Sequence, residues 1–466
     1  MSLSENKVKI MEDDNIGRVI WKFAIPGIIA SLISAVYNIV DTAFVGMLDN
    51  TLAMAAVSVV FPLFILINAI GQMIGVGASS YIARLLGSKD KEQADVVATT
   101  AIFTSLFLGV IFTTLILVFL EPILRLLGAT DTIMPYAIDY AKPIAIGASL
   151  PIMMPTLANI IRSEGNTKLS AVAVALGAVI NIVLDPILMF NLNMGVVGAS
   201  WATVISQVIS VCLLASYFLR KKSYLKLEIK NFKLSKTIYR EIISVGTATF
   251  LTQALISISM GLLNIASKPY GDSLIASFGI SLKLSSLVIF VVMGYNQGFQ
   301  PIASYNYGAG NYDKLRKAIK ISIKRTTIFA SLATIVLMIF AEPAINLFSN
   351  DSSVIEVGAK TLRATLVMYP FLGFTQLYAT LYQSLGMSKE ALIVGTARQG
   401  IFFIPLVFIL PKILGMNGVL YTQALSDLFT VVLTAYFAYK TNELLKLKNE
   451  EDKDIKSNTI EVLMES

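Results

Sequence analysis

Long apolar runs alternate with short charged connectors along most of the chain. Four of these runs, residues 50–83, 96–120, 143–161 and 242–267, contain no Asp, Glu, Lys or Arg. Only helices and closed barrels satisfy their backbone hydrogen bonds inside a membrane, and the runs are too long for barrel strands. We therefore predict an all-α integral membrane protein with twelve transmembrane helices. The predicted spans, numbered 1 to 12 in chain order, are 18–44, 53–83, 96–120, 135–161, 169–190, 196–219, 242–267, 273–305, 319–341, 358–385, 391–411 and 416–439.

Composition agrees with a membrane protein and excludes several kinds of active site. Of the 466 residues, 55% are hydrophobic and 14% are charged, and the mean hydropathy is +0.72. The absence of histidine and the single cysteine exclude a Ser-His-Asp triad, a Cys/His zinc site and an internal disulfide. The GxxxxGK[ST] pattern of a P-loop is also absent from the sequence, so no ATP-driven pump is expected. We predict a transporter rather than an enzyme, with no cofactor and no structural metal.

The distribution of basic residues predicts how the spans are oriented. Connectors after even-numbered spans are rich in Lys and Arg, whereas the opposite connectors contain few basic residues, chiefly Arg125, Lys268 and Lys412. Because Lys and Arg accumulate in short cytoplasmic loops, both termini are predicted to be cytoplasmic. The same rule accounts for the net charge of +7, so no nucleic-acid partner is expected.

The second half of the chain repeats features of the first. At a shift of about 221 residues, Glu121-Pro122 aligns with Glu342-Pro343, and connector 162–168 aligns with 383–389. Because six spans return the chain to its starting side, the two halves are parallel repeats. We predict two six-helix bundles related by a pseudo-two-fold axis along the membrane normal, with a cleft between them that suits an alternating-access carrier. The predicted parts are an N-terminal lobe (1–220), a basic linker (221–240), a C-terminal lobe (241–440) and a polar tail (441–466) that we expect to be disordered.

The sequence resembles the multidrug and toxic compound extrusion (MATE) family over about residues 15–440. The resemblance rests on Pro26 with segment 38–46 in span 1, segment 81–87 after span 2, Asn181 with Asp185-Pro186 in span 5, and segment 195–199 at the start of span 6. It implies twelve helices in two bundles, and export of bulky, often cationic organic compounds in antiport with H⁺ or Na⁺. It also implies that span 1 bends at Pro26 during transport.

Acidic residues inside the predicted spans are the strongest candidates for ion coupling. A charged residue at the centre of a span costs about 2.5–3.5 kcal/mol on insertion scales, so it is usually retained for function. Asp41 follows Tyr37 by four residues and Asn38 by three, which places all three near one face of span 1. Asn181 and Asp185 are separated by one turn of span 5.

The resemblance implies that Asp41, Asn181, Asp185 and Thr203 lie together in a cavity of the N-terminal lobe. There the two acids would accept protons or help to bind Na⁺, in competition with a cationic compound. The alternative for Asp41 is a residue that reaches water at the outer end of its helix. The alternative for Asp185 is a hydrogen-bond anchor for the helix that Pro186 interrupts.

Other residues in the spans are candidates for a substrate wall and for an ion pair. In the C-terminal lobe, Asp427 is predicted to pair with Lys283 or Arg398, because isolated charges at depth are costly; alternatively, either base extends to the membrane interface. Met and aromatic side chains suit an adaptable cavity wall, with ordinary helix packing as the alternative. The cavity candidates are Tyr37, Asn38, Asn68, Gln72, Met153, Met154, Gln297, Gln376 and Tyr378.

Two coupling ions, H⁺ and Na⁺, fit a cluster of Asp, Asn and Thr oxygens, and Na⁺ would bind at Asp41 and Asp185. The expected partners are small organic substrates and the lipid bilayer, and the expected assembly is a monomer in a bacterial or archaeal cytoplasmic membrane. The alternative functions are a flippase for lipid-linked precursors, of the same broad superfamily, and a membrane receptor or scaffold.

Overall fold

The computed structural model describes residues 8–48, 50–349 and 351–465, and within these ranges the chain forms helices and no strands. Ten of the helices described there are long and apolar enough to cross a membrane as single spans. They are Ile16–Gly46 (span 1), Thr51–Gly87 (span 2), Lys91–Val118 (span 3), Thr167–Pro186 (span 5), Gly195–Leu219 (span 6), Lys236–Ser267 (span 7), Asp272–Gly308 (span 8), Tyr312–Ile339 (span 9), Ser388–Leu414 with an inner irregular turn (span 11) and Met416–Glu465 (span 12).

Spans 4 and 10 are each divided into two helices. Span 4 consists of Met134–Ile146 and Leu150–Ser163, which are bent by 41° relative to each other. Span 10 consists of Ser352–Leu366 and Leu372–Leu385, joined through the short turn Tyr369–Phe371. A proline stands at the start of the second helix of span 4 and in the turn of span 10, where its missing N–H interrupts the helical hydrogen bonds. Counted as one span, the pair of span 4 raises the number of described helices that are long and apolar enough to cross a membrane to eleven. The two helices of span 10 stand at the position of the twelfth predicted span.

Several helices extend beyond the predicted spans. Span 7 begins at Lys236 rather than 242, and span 9 begins at Tyr312 rather than 319. Hydropathy marks only the part of a helix that lies in hydrocarbon, and charged residues do not end a helix. The basic linker is shortened accordingly, and it is bound to the N-terminal lobe by the backbone N–H of Lys226, which donates to Asp95 Oδ1 over 2.9 Å.

The segment around Glu12 and the extension of span 12 around Lys448 both pack on the end of span 8, and we call this end of the molecule the terminal end. In the N-terminal segment, Glu12 Oε1 accepts a 2.7 Å hydrogen bond from the Tyr305 hydroxyl at the end of span 8. The helix of span 12 continues beyond residue 440 to Glu465, so the part of the tail next to span 12 is not disordered as expected. The tail is ordered near span 12 because Leu445 is fully buried and Lys448 Nζ donates to the Tyr307 hydroxyl over 3.0 Å.

Glycines bring the two lobes into close backbone contact near the terminal end. Spans 2 and 7 touch where a Cβ at Gly77 would overlap the carbonyl oxygen of Ile242, and a Cβ at Gly246 would overlap that of Met73. Small residues allow helices to approach closely inside a membrane. The contact is extended by the ion pair between Arg84 of span 2 and Glu241 of span 7, at 2.9 Å. The cleft between the lobes is therefore closed at the terminal end.

This contact predicts opposite effects for two glycines of span 7. We expect Gly246→Ala to destabilise the protein by about 1–3 kcal/mol, because the new methyl group overpacks the contact with Met73. Gly261→Ala is the matched control: its Cβ would meet nothing within 4 Å, and Ala favours a helix by about 0.5–1 kcal/mol over Gly. The melting temperatures of the purified variants in one detergent check this. Equal effects of the two substitutions would contradict the close contact.

Candidate substrate and ion site

A cavity of about 450 Å³ lies between the lobes on the side away from the close contact. Its wall comes mostly from spans 1, 2, 4, 5 and 6 of the N-terminal lobe, and from spans 7 and 8 of the C-terminal lobe. The C-terminal lobe contributes four residues, Gln253, Phe290, Met293 and Gln297. The volume is within the range of pockets that bind small organic molecules.

Most of the residues predicted for the site lie on this cavity. The predicted residues that line it are Tyr37, Asn38, Asp41, Asn68, Gln72, Met154, Asn181, Thr203 and Gln297. Asp185 is completely buried directly behind the wall, next to Asp41. The structure therefore brings the four coupling candidates, Asp41, Asn181, Asp185 and Thr203, into one cluster on spans 1, 5 and 6.

Three predicted cavity residues lie elsewhere. Met153 and Met154 both pack against the apolar cluster around Leu157, but only Met154 also lines the cavity. Consecutive residues of a helix point about 100° apart, and here that step turns Met153 away from the cleft. Gln376 and Tyr378 lie in the second half of span 10, which packs on spans 8, 9 and 12 instead of on the cavity.

The carboxyl groups of Asp41 and Asp185 are within hydrogen-bonding contact of each other. The Oδ1 atom of Asp185 is buried, and no N–H or hydroxyl group of the described residues donates a hydrogen bond to it. Its carboxyl group has the carboxyl group of Asp41 as a neighbour. Two ionised carboxylates repel each other at this separation. The pair therefore requires a shared proton or a bound cation.

Asn181 and Thr203 hold the second oxygen of Asp185 in place. The side-chain amide of Asn181 is oriented so that it forms a hydrogen bond with each neighbour. Its nitrogen donates to Asp185 Oδ2 over 3.1 Å, and its oxygen accepts from the backbone N–H of Thr203 over 3.1 Å. Span 5 changes directly after Asp185, since Pro186 ends the α-helix and a π-helical turn, Ile187–Asn191, follows. This irregular turn positions Asp185 between spans 1 and 6.

Among the residues of the cavity wall that sequence reasoning missed are Tyr140 and Arg162. Tyr140 belongs to the first half of span 4 and lies near Asp41. Arg162 was assigned to the connector after span 4, because it directly follows the charge-free run 143–161. The signal available was the helical spacing of Met154, Ala158 and Arg162, which places all three on one face of span 4.

In the C-terminal lobe, Asp427 pairs with Arg398. Arg398 Nε donates to Asp427 Oδ1 over 2.8 Å, and the second nitrogen of the guanidinium donates to Oδ2 over 3.2 Å. The side chains are only 13% and 8% exposed, and Gln423 adds a 2.7 Å hydrogen bond to Asp427. Lys283, the other partner that the sequence allowed, is exposed on span 8.

Pro26 lies inside the continuous helix of span 1, at the contact between the lobes. The next residue, Gly27, packs so closely on Gly294 of span 8 that a Cβ at Gly27 would lie 2.5 Å from the Gly294 carbonyl oxygen. Because proline has no N–H, the carbonyl of Lys22 lacks its helical donor, and span 1 is weakened beside this contact.

Comparison with protein families and known proteins agrees with this architecture. The family model described as MatE matches residues 26–187 and 248–409, two segments whose first residues, 26 and 248, are 222 positions apart. The double match agrees with the internal repeat. The chain is similar to "Multidrug export protein MepA" of Staphylococcus haemolyticus (strain JCSC1435), with 30% identity over 443 residues that cover 95% of this chain and 98% of that protein.

Solved structures are similar over nearly the whole chain. One, described as an outward-facing conformation of a multidrug resistance MATE family transporter of the MOP superfamily, has a TM-score of 0.90 and 28% identity, and the match covers 94% of this chain and 98% of that one. Another, described as a MATE in the bent conformation, has a TM-score of 0.88 and 28% identity, with 95% and 99% covered.

The Arg398–Asp427 pair predicts a non-additive mutant cycle. We expect Arg398→Gln and Asp427→Asn each to destabilise the protein by about 3–5 kcal/mol, because each leaves a buried charge without its partner. The double variant should recover much of this loss, whereas Lys283→Gln, the control at an exposed lysine, should have little effect. Unfolding of the purified proteins in mixed micelles gives the free energy of unfolding of the two single variants, the double variant and the Lys283→Gln control. Additive losses in the double variant would show that the two side chains are not coupled.

Proposed function

The chain belongs to the MATE family, and we propose that it is a secondary active exporter of bulky, often cationic organic compounds, working in antiport with H⁺ or Na⁺. The proposal is supported by the multidrug export proteins among its relatives and by a cavity of about 450 Å³ between two lobes. The sequence contains no P-loop, so an ATP-driven pump is not expected. The driving force therefore comes from an ion gradient.

The contact between Asp41 and Asp185 carries the proposal. A buried carboxylate oxygen without an N–H donor, placed against a second carboxyl group, is a site that gains stability when a proton or a monovalent cation binds. Asp41 also lines the cavity, so the same carboxyl group is available to a cationic substrate. Ion and substrate then compete for one pair of acids.

Competition of this kind drives transport when it is combined with a change of access. We propose that the terminal end is cytoplasmic, as the basic connectors indicate, so the structure corresponds to an outward-open state. A proton or Na⁺ entering from outside displaces the cationic compound, and loss of the ion to the inside restores the site. Each ligand can shift the equilibrium only by its difference in affinity for the two states.

Span 1 is the element through which we propose that ion binding changes the cavity. It carries Asp41 near its outer end and Pro26 near the contact between the lobes. A bend at Pro26 would move Tyr37, Asn38 and Asp41 together, because all three lie on the same helical segment. A related structure described as bent supports such a movement.

Na⁺ and H⁺ would bind to the same cluster of residues in different ways. For Na⁺, the oxygens of Asp41, Asp185, Asn181 and Thr203 would serve as ligands, since hard cations prefer oxygen. For H⁺, one proton shared by the two carboxyl groups is sufficient. We further propose that the protein works as a monomer in the cytoplasmic membrane of a bacterium or archaeon.

Substitution of either acid tests the coupling role. We expect Asp41→Asn and Asp185→Asn each to reduce ion-driven export by about tenfold or more, the result of losing about 1.4 kcal/mol of coupling. Efflux from proteoliposomes with matched amounts of protein measures this. Asp139→Asn is the matched control, because Asp139 is exposed on span 4 and does not line the cavity. Full export by both cavity variants would eliminate the acids as coupling groups.

Imposed gradients test antiport itself. Proteoliposomes containing the full chain and a fluorescent cationic dye should release the dye faster when a pH gradient or a sodium gradient is imposed. The gradient that accelerates efflux identifies the coupling ion, and the Asp185→Asn variant should lose the acceleration. Efflux that is independent of both gradients would rule out the proposed antiport.

A further inference from the structure

The inner end of the cavity, opposite the two acids, is basic. Arg162, at the end of span 4, lines the cavity with its side chain only partly exposed. One guanidinium nitrogen, Nη1, donates to Gln297 Oε1 over 2.8 Å. The other, Nη2, donates to Asn159 Oδ1 over 2.6 Å. Both partners are neutral amides.

Among the described residues, Arg162 has no carboxylate partner. Two other arginines do, since Arg398 pairs with Asp427 and Arg84 pairs with Glu241, whereas Arg325 binds the Gly17 carbonyl and lies over the Trp21 ring. An arginine within a membrane protein normally pairs with an acid or extends to the interface, because its isolated charge is costly. Arg162 remains within the bundle with its charge uncompensated by the chain.

The guanidinium also has hydrogen-bonding capacity to spare. It carries five N–H groups in a fixed planar arrangement. Two hydrogen bonds to the described residues account for two of these groups, which leaves three. A planar carboxylate can accept two parallel hydrogen bonds from such a fork. The neutral amides of Asn159 and Gln297 therefore orient the cation without neutralising it.

The two charged ends of the cavity are well separated. At the acidic end, Tyr140 lies near Asp41 and packs against Val60 of span 2. At the basic end, Gln72 of span 2 accepts a hydrogen bond from Asn159 over 3.3 Å. Val60 and Gln72 both line the cavity and are twelve residues apart, which is about 18 Å at 1.5 Å per residue. The basic end is thus a subsite distinct from the ion-coupling pair.

We propose that Arg162 is an anion-binding subsite, which takes a carboxylate group of the exported compound. This deepens the proposed function and depends on it for its role in export. The carboxylate binds the free face of the guanidinium, while a cationic portion of the same molecule extends toward the outer, acidic half of the cavity.

The subsite lies at a contact between the lobes. Arg162 and Asn159 belong to the N-terminal lobe, whereas Gln297 belongs to span 8 of the C-terminal lobe. A carboxylate that binds the remaining N–H groups leaves the hydrogen bond to Gln297 in place. The bound compound therefore lies beside a polar link between the two lobes.

A matched pair of dyes tests the subsite. Rhodamine 19 carries a free carboxylic acid, and rhodamine 6G is its ethyl ester, with the same cationic ring system. Fluorescence polarisation with the purified full chain in detergent gives both affinities. We expect Arg162→Gln to weaken rhodamine 19 binding by about tenfold or more, the usual effect of losing hydrogen bonds to a charged group, with much less effect on rhodamine 6G.

Two further variants keep the test decisive. Lys142→Gln removes a positive charge from the exposed face of the same span, outside the cavity, and should leave both affinities unchanged. Arg162→Lys keeps the charge but loses the planar fork, and should weaken rhodamine 19 binding less than Arg162→Gln does. If Arg162→Gln does not fold, a selective loss for the acid dye in Arg162→Lys still supports the subsite.

Equal losses for the acid and the ester, or no loss for the acid in either Arg162 variant, would overturn the proposal. The measurement is made in micelles without an ion gradient, so it is independent of transport. If proteoliposomes fail to release rhodamine 6G under any gradient, the exporter proposal fails, whereas selective binding of the acid dye would still establish the anion subsite.

Discussion

Hydrocarbon provides no hydrogen-bonding partners, and this constraint governs both the fold and the site. Backbone groups must pair within their own span, so the described chain is helical. Pro151, Pro186 and Pro370 stand where a span is divided or irregular. Charged side chains must find partners or water. Arg398 and Asp427 satisfy each other inside one lobe, whereas Asp41, Asp185 and Arg162 gather around the cavity.

The same constraint explains why the two lobes can separate. Within a bilayer, helices gain little from hydrophobic burial against each other, so association depends on close packing of small residues and on a few polar links. Around Gly77 and Gly246 the lobes touch backbone to backbone. Such a surface carries few side chains that must be rearranged, and the polar links beside it, Arg84 with Glu241 and Arg162 with Gln297, can be exchanged for water or ligand.

Charge-free runs and their spacing were sufficient to predict the spans and the repeat. They also marked Asp41 and Asp185 as acids inside apolar runs, but the clustering of these two residues in one cavity was implied only by the resemblance to the family. The side of each helix that faces the cavity could not be predicted as well from the sequence. Met153 and Met154 are adjacent in sequence, and only the packing of span 4 decides between them. Arg162 follows an apolar run, where a charge usually marks the membrane surface. Its depth arises because the neighbouring spans 2 and 8 extend well past it, to Gly87 and Gly308.

The hydrogen bond between Glu12 and Tyr305 joins residues that are 293 positions apart in the chain. During synthesis, the segment around Glu12 must therefore wait until spans 7 and 8 of the second lobe have been made before it can dock. Until then, the first lobe sits in the bilayer with its glycine-lined surface facing lipid. The order of translation thus makes closure of the terminal end follow the synthesis of the whole first lobe.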